Sequence, residues 1–582
     1  MTYLKRLLPY LLIYKKQLLL GFLVILLGAV FTNIVPIVIS KAIDSIKSHP
    51  EISSLTKYAL VTVCFAIFSG VFLYFTRQTI IVVSREIEND LRNDFVKCIR
   101  KQDLQYFHTH PTGEIMALAT NDISAVRNFL GPGIMYSSET IINFVMAISL
   151  MISLNLQLTI VSVIPIPLIS YFVYRVGKSI NHKFEKVQSQ FADMTTRAQE
   201  NLSGIKVIKS YVREKSEIKS FEEESLDYQK KNMSLALVQS FSFPMMFLLT
   251  GISIVIVLFV GGNKVIDGSL TLGELTAFII YLGLLTWPII AFGWIINLTQ
   301  RANASMMRLC KVFDSEPEIN DTEKTDVSIK EIKGEIEFRN LSFRYGDELA
   351  YVLKDLNLKI SEGETIGLIG HTGAGKSTLV NLISRLFEVA EGEVLIDGIN
   401  IKKIPLSKLR TSIGYVLQET FLFSDSIENN IAYGIEGLDK DSITEVSKTS
   451  QIYKEIDGFP NRFETILGER GINLSGGQKQ RTSIARALAI NPRILILDDA
   501  FSAVDTYTEE EILQALKNVM KERTTILISH RVSTIKNSDR IVVLKDGRIA
   551  EEGTHESLIQ QEGIYADIYF KQLLEQELEG LE

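Results

Sequence analysis

Residues 370–378 read GHTGAGKST, a glycine, four residues, then Gly375, Lys376 and Ser377. Those residue types at that spacing suit a loop that wraps phosphates. Glycines let successive backbone N–H groups curl around an anion with no Cβ in the way, the lysine reaches the β and γ oxygens, and the Ser377 hydroxyl is placed for Mg²⁺. The candidate nucleotide-binding residues are therefore Gly370, His371, Thr372, Gly373, Ala374, Gly375, Lys376, Ser377 and Thr378. A carboxylate source follows the apolar run 494–497, which ends in Asp498 and Asp499. A short buried strand ending in Asp is a way to hold Mg²⁺ opposite a phosphate loop, directly or through water. The run Leu474, Ser475, Gly476, Gly477 and Gln478, followed by KQRTSIARAL, puts a glycine-rich turn at a helix N-terminus. Such a turn is an anion site through its dipole and free N–H groups. With one phosphate loop already present, a second phosphate site implies a nucleotide presented by another subunit.

The elements that must position these residues are legible around them. Residues 365–369 are an apolar run suited to a buried strand, and 377–387 have helical spacing, giving the order strand, loop, helix. Residues 335–345, EIEFRNLSFRY, alternate as a half-buried strand does, and further apolar runs stand at 525–528 and 541–544. An α/β core with a β-rich front edge is expected from about 335 onward.

The first 300 residues differ in kind. Crossing a bilayer as a helix takes about 20 apolar residues, and six segments qualify or come close: 18–40, 58–76 with a tail to 83, 130–154, 157–174, 237–262 and 275–299. The third and fourth are parted only by 155–157, which predicts a tight hairpin. Lys5, Arg6, Lys15 and Lys16 lie among Leu and Tyr ahead of the first span. That pattern predicts an interfacial helix leading into a retained span, since the apolar stretch runs on uncharged from Gln17 to Ser40, where a cleaved signal has a short apolar core followed by small residues. The loops after the first, third and fifth spans carry few cations, while 85–127 and 175–231 are rich in Lys and Arg, so the positive-inside rule places both termini in the cytoplasm. These two stretches favour helix, and the spans are expected to run on beyond the bilayer and turn back there.

Glu139 is the only charge between Arg127 and Arg175. An ionisable group at membrane depth is a candidate for a substrate cavity or proton relay; an interfacial structural role is the competing reading, because Glu139 sits near one end of its span. Trp287, Pro288, Trp294, Asn297 and Gln300 suit a central cavity, and ordinary packing or belt aromatics equally. Cys64, Cys98 and Cys310 follow no metal or redox pattern. A chain of 582 residues exceeds one core. Its formal net charge of -7, without a basic stripe carrying aromatics, disfavours a nucleic-acid partner. Residues 315–333 are charged and read as a linker, and the acidic tail from Glu575 as a solvated end.

LSGGQ at 474–478, Gln418 in YVLQETFLFSDSI, the run Ser502, Ala503, Val504, Asp505, and His530 in LISHRVSTI together resemble the nucleotide-binding domain of an ABC transporter. The six spans, with FHTHPTGEIMALATND at 107–122 and ENLSGIKVIKSYVRE at 200–214, resemble exporter half-transporters of the multidrug type. The resemblance covers essentially the whole chain. It implies an all-α polytopic membrane domain of six transmembrane helices, the type I ABC exporter, over 1–314, a linker over 315–333, and an α/β P-loop ABC ATPase domain over 334–582.

The resemblance also implies roles. Tyr345 would stack on adenine. Lys376, Ser377 and Asp498 would hold phosphates and Mg²⁺, and Gln418 would touch Mg²⁺ or the attacking water. His530 would contact the γ-phosphate and Asp505 would bridge two sites. Ser475, Gly477 and Gln478 would bind the γ-phosphate held by the opposite subunit. The two cytoplasmic turns would dock on the nucleotide domains near Glu469. Implied with these are ATP and Mg²⁺, a second half-transporter, lipophilic small molecules and a lipid bilayer. The place implied is the cytoplasmic (inner or plasma) membrane, with both termini and the nucleotide-binding domain on the cytoplasmic side. One departure stands out: where the family has a glutamate base after the Walker aspartate, this chain has Asp499, shorter by one methylene. That resembles the weakly hydrolysing chain of heterodimeric exporters; the alternatives are a homodimeric lipid or peptide exporter in which Asp499 suffices and an ATP-gated regulatory membrane protein.

Overall fold

The computed structural model describes residues 3–48, 52–346, 348–389 and 391–579. The chain divides into two compact units, one of residues 1–100 and 112–315, the other of residues 101–111 and 316–582.

The first unit is helical. Among the described residues five helices are long and apolar enough to cross a membrane: Lys15–Lys47, Ile52–Ile99, Thr112–Leu154, Glu214–Ile266 and Leu272–Phe313. Four of them extend well past a bilayer's need of about 20 residues, as the polar, helix-favouring stretches predict. The remaining apolar run, 157–174, is divided between helix Leu156–Val163 and the head of helix Pro165–Ser203. Pro165 lacks the N–H that an uninterrupted helix would use, so the new helix begins at its ring. The turn expected over 155–157 shrinks to Asn155 alone. Its N–H donates to the Met151 carbonyl at 3.0 Å, closing one helix, and its side chain accepts from the Leu158 N–H at 3.0 Å, capping the next.

Apolar packing of Met151, Leu158, Val257, Phe278 and Tyr281 holds this unit at one end. Toward the polar extensions the cement changes. Glu88, 8% exposed at its side chain, receives Arg85 at 3.1 Å, Arg92 at 3.0 Å and Arg127 at 3.5 Å. Asp122 receives Arg308 through Nε at 2.8 Å and Ser305 through its hydroxyl at 2.8 Å. Residues 3–13 are helical as expected. Their polar face is tied down by Tyr10 donating to Asp94 at 2.8 Å and by Arg6 paired with Asp314, while Leu8, Leu12 and Ile13 are exposed.

The second unit is built on two sheets. Strands β1 (Ile336–Phe343), β2 (Leu353–Ile360), β4 (Glu391–Ile396) and β5 (Ile399–Asn400) pair antiparallel in the order β2-β1-β4-β5. Strands β3 (Thr365–Ile369), β6 (Ile413–Val416), β7 (Ile494–Asp498), β8 (Thr524–Ile528), β9 (Arg540–Lys545) and β10 (Arg548–Gly553) form the other sheet, ordered β10-β9-β3-β8-β7-β6. It is parallel from β6 to β9, with β10 antiparallel at the edge. Being covered on both faces, its inner strands are continuous apolar runs, as ILIL in β7 requires. One core packs Phe338, Ile366 and Leu379 between the sheets, and a second packs Leu497, Ile512 and Tyr565 behind.

The helix after the phosphate-type loop is Lys376–Ile383, shorter than the expected 377–387. Arg385 adopts φ 49°, and the Leu386 N–H returns to the Asn381 carbonyl at 3.1 Å, a left-handed cap that ends the helix. The charged segment 315–333 lies against this unit. Asp321 accepts the Leu406 N–H at 2.9 Å, and the Asp326 N–H donates to the Lys403 carbonyl at 2.8 Å. Residues 101–111 also pack here, as helix Leu104–Thr109 capped by Asp103. At the carboxyl end helix Ile564–Glu579 leaves Glu575 exposed; residues 580–582 of the acidic tail lie outside the described residues.

Candidate functional site

Because β3, β8, β7 and β6 are parallel neighbours, their carboxyl ends lie side by side. Ligands of open α/β sheets bind in the crevice outside those ends. Each strand delivers one of the singled-out groups there: the 370–378 loop after β3, His530 after β8, Asp498 and Asp499 at the end of β7, and Gln418 after β6. The loop from Thr372 to Thr378 meets the other groups in one cavity of about 360 Å³, lined also by Tyr345, Val352 and Ile528, while Gly370 and His371 stand outside its lining.

The loop's shape depends on two glycines. Gly373 and Gly375 sit at φ 83° and 97°, where a side chain is strained, and a Cβ on Gly375 would come within 2.7 Å of Leu353. The buried Lys376 ammonium donates to the Gly370 carbonyl at 2.8 Å and the His371 carbonyl at 3.1 Å. Burial pulls its pKa below the usual lysine value, and the Asp498 and Asp499 charges pull it back. Asp498 is pushed up by burial and by Asp499, and down by a hydrogen bond from Ser377 and by Lys376. Partial desolvation and the Lys376 charge pull the His530 pKa below the usual histidine value, against the Asp499 charge.

A hydroxyl bonded to a carboxylate, with a second carboxylate beside it, is a hard oxygen donor set. It is too small to cage a cation by itself, which fits Mg²⁺ shared with phosphate oxygens. Tyr345 shares a 2.8 Å hydrogen bond between its hydroxyl and that of Thr378, with its ring edge-on to Phe343 and Phe387. Its carbonyl accepts from Gln105 at 2.7 Å. Asp499 has φ 49°, with its N–H held by the Ile528 carbonyl at 2.9 Å.

Residues 474–478 and 502–505 do not line this cavity but lie against each other. Ser475 and Gln478 cap helix Gly476–Ala489 reciprocally, Ser475 N–H to Gln478 Oε1 at 2.9 Å and Gln478 N–H to Ser475 Oγ at 3.3 Å. A Cβ on Gly477 would stand 2.9 Å from the Ala503 carbonyl oxygen. Gln480, which sequence reasoning passed over, joins the two segments by donating to Ser502 Oγ at 2.8 Å and accepting the Ala503 N–H at 2.9 Å. Leu474 and Val504 are buried, and Asp505 caps helix Thr506–Met520 by accepting the Thr508 N–H at 2.9 Å.

In the helical unit Glu139 and Trp287 line a cavity of about 280 Å³. Thr32, Asn33, Thr140 and Asn143 line it too, short polar residues that the apolar runs concealed. Trp294 packs edge-on against Tyr136 instead, ring centroids 5.6 Å apart, and Asn297 is exposed outside the cavity.

Comparison with known proteins agrees over nearly the whole length. The family model for the ABC transporter transmembrane region matches residues 18–289, and that for the ABC transporter matches 353–502. The multidrug resistance-like ATP-binding protein MdlA of Escherichia coli (strain K12) is 34% identical over 94% of this chain and 92% of its own. The ATP-dependent lipid A-core flippase of Syntrophus aciditrophicus (strain SB) is 35% identical over 94% and 91%. A solved structure of a bacterial Atm1-family ABC exporter with ATP bound superposes with a TM-score of 0.82 at 26% identity, covering 96% of this chain and 99% of that one.

Proposed function

The chain belongs to the ABC transporters as a fused half-exporter whose ATPase is coupled to transport, and from that premise we propose that it exports lipophilic or amphipathic compounds across the cytoplasmic membrane as half of a heterodimer with one weakly hydrolysing site. The observation that carries the reading is the division of the nucleotide machinery. Residues 372–378, Gln418, Asp498, Asp499 and His530 share one cavity, while 474–478 and 502–505 stand outside it. A second half-transporter supplying its own 474–478 equivalent completes each site.

In this reading Tyr345 leaves Thr378 and stacks on adenine, an aromatic face being a sequence-tolerant base platform. Lys376 turns from its two carbonyl partners to the β and γ oxygens, and the N–H groups of 373–378 cradle the phosphates. Ser377, Asp498 and Gln418 would hold Mg²⁺, which supplies charge neutralisation at the transferred phosphoryl group. His530 donates to the γ-phosphate. Asp499 orients water from one methylene too far back, which makes the site slow. Closure of the two ATPase domains draws the spans from inward-open to outward-open, the turns at 101–111 and 204–213 carrying the motion. The Lys and Arg bias of 85–127 and 175–231 supports a cytoplasmic ATPase domain.

A homodimeric exporter of lipid or peptide is the second reading, favoured by the flippase similarity. Hydrolysis by the chain alone, beside hydrolysis with a co-expressed half-transporter, separates them. Near silence alone and brisk turnover in the pair support the heterodimer; equal turnover supports the homodimer.

A further inference from the structure

We propose that the cavity around Glu139 binds the cationic head of an amphipathic amine, a site that rests on the export reading above and names its substrate class. Position comes first. Glu139 lies 15 residues before the end of helix Ile134–Leu154, Trp287 15 residues after the start of Leu272–Phe313, and Asn33 15 residues before the end of Lys15–Ser48. At 1.5 Å per residue all three stand about 22 Å from those helix ends, at one level and within the span of the membrane.

Chemistry comes second. Three of the neighbouring polar residues already hold hydrogen bonds of their own. Asn33 Nδ2 donates to Asn143 Oδ1 at 2.7 Å and to the Ala29 carbonyl at 2.9 Å, and Thr32 Oγ1 meets Ser69 Oγ at 2.8 Å. Among the described residues no hydrogen bond or ion pair engages the Glu139 carboxylate; Arg77 acts on it only through space. A carboxyl group facing a cavity that an exposed indole also lines is a cradle for an ammonium group. The carboxylate takes the N–H donors and the Trp287 face adds cation–π attraction. At about 280 Å³ the cavity holds a head group and leaves the lipophilic tail outside.

The two tryptophans of the chain are Trp287 and Trp294, so a Trp294→Phe background makes Trp287 the sole fluorophore. In that background the full chain in lipid is titrated with dodecylamine, dodecanol and dodecyl sulfate. Trp287 emission is expected to respond to the amine at the lowest concentration. Glu139→Gln is expected to weaken the amine roughly 10- to 100-fold, as loss of a charge-assisted hydrogen bond does, Glu139→Asp less, and neither variant to affect the alcohol. Equal response to amine and alcohol, an unchanged amine affinity in Glu139→Gln, or an equal response to sodium chloride alone would overturn the site. The readout needs no ATP. Charge-blind binding in a preparation that hydrolyses ATP refutes this site alone, and charge-selective binding without ATP-driven transport refutes the export reading alone.

Independently, the geometry points to Gln572 as a positioning residue for His530, given the role proposed for that histidine. From helix Ile564–Glu579 its Nε2 donates to the His530 carbonyl at 2.5 Å, and its Oε1 accepts the Val532 N–H at 2.9 Å. One amide thus straddles the turn that presents the imidazole. The helix is itself anchored, the Tyr565 N–H donating to Glu551 at 3.0 Å and the Tyr565 ring being buried. In whichever assembly hydrolyses ATP, Gln572→Ala should lower kcat about 10-fold, consistent with two backbone-directed bonds, with KM for ATP unchanged. Gln572→Glu, which keeps the acceptor and loses the donor, should fall between. Added to His530→Ala, Gln572→Ala should cost nothing further. An unchanged kcat, a matching rise in KM, or an additive loss in the double variant would overturn the assignment.

Discussion

A glutamate at position 499 would carry its carboxylate one C–C bond, about 1.5 Å, beyond where aspartate ends. The backbone there does not move to compensate: the Asp499 N–H is fixed on the Ile528 carbonyl at 2.9 Å, and Asp498 one residue earlier is buried at the end of β7. A positioned general base contributes roughly 10² to 10⁴ in rate, which is about 2.7–5.4 kcal/mol at 1.36 kcal/mol per tenfold. Aspartate working through an extra water recovers part of that, so Asp499→Glu should raise kcat for ATP about 10-fold or more. KM should stay within about twofold, because the 370–378 loop is untouched. The change has a structural cost, since φ 49° suits aspartate better than glutamate. A left-handed conformation costs an ordinary residue about 1–2 kcal/mol, so the thermal midpoint should fall slightly while the rate rises. Steady-state hydrolysis by the chain in lipid, with Asp499→Asn alongside, decides the matter. An unchanged kcat in Asp499→Glu, or abolition of an already brisk activity by Asp499→Asn, would refute the reasoning and make Asp499 a working base.

Tyr345→Ala should weaken ATP binding about 5- to 100-fold, the range of one aromatic–base stack. Tyr345→Phe, which loses only the bond to Thr378, should bind at least as tightly; equilibrium binding of a fluorescent ATP analogue measures both. Gly477→Ala, whose new methyl would press on the Ala503 carbonyl at 2.9 Å, should abolish hydrolysis by the assembled pair while single-chain ATP affinity stays normal, and a parallel loss of affinity would contradict the separation of the two segments. Asp122→Asn removes the charge from a carboxylate 11% exposed at its side chain, though Arg308 at 47% can rehydrate. The expected loss is therefore about 1–3 kcal/mol, read as a lowered thermal midpoint in detergent, and an unmoved midpoint would remove this pair from the stability of the helical unit.

What was legible in the sequence was whatever local spacing determines. The glycine and lysine spacing of 370–378, the four apolar residues before Asp498 and the strand ahead of the loop depend on neighbours in the chain, and the structure brings their polar groups to one cavity. Strand order was not legible, because the placement of β8 beside β3 rests on a pairing between residues far apart in the chain, such as Thr365 with Thr525. The left-handed turn at Arg385 was missed since an arginine carries no turn signal, so the helix was read too long. Asn155 was readable as a break but not as both the end of one helix and the cap of the next. Asn33, Asn143 and Thr32 escaped notice because single short polar residues barely dent an apolar run, although two helices bring them together beside Glu139. Gln480 and Gln572 were invisible for a related reason: each makes two bonds to distant backbone or side-chain groups, and nothing in their own neighbourhood announces it.

ATP-driven movement of a lipophilic compound is the central claim, and transport tests it most directly. The chain, alone and with a co-expressed half-transporter, is reconstituted with its ATPase domains facing outward, and uptake of a fluorescent lipophilic amine is followed after addition of Mg-ATP. ATP-dependent accumulation by the pair, lost in Lys376→Ala, is the predicted result. Accumulation that is indifferent to ATP or to Lys376→Ala, or an ATPase that turns over while none of the lipophilic, lipid or peptide probes moves, would contradict it.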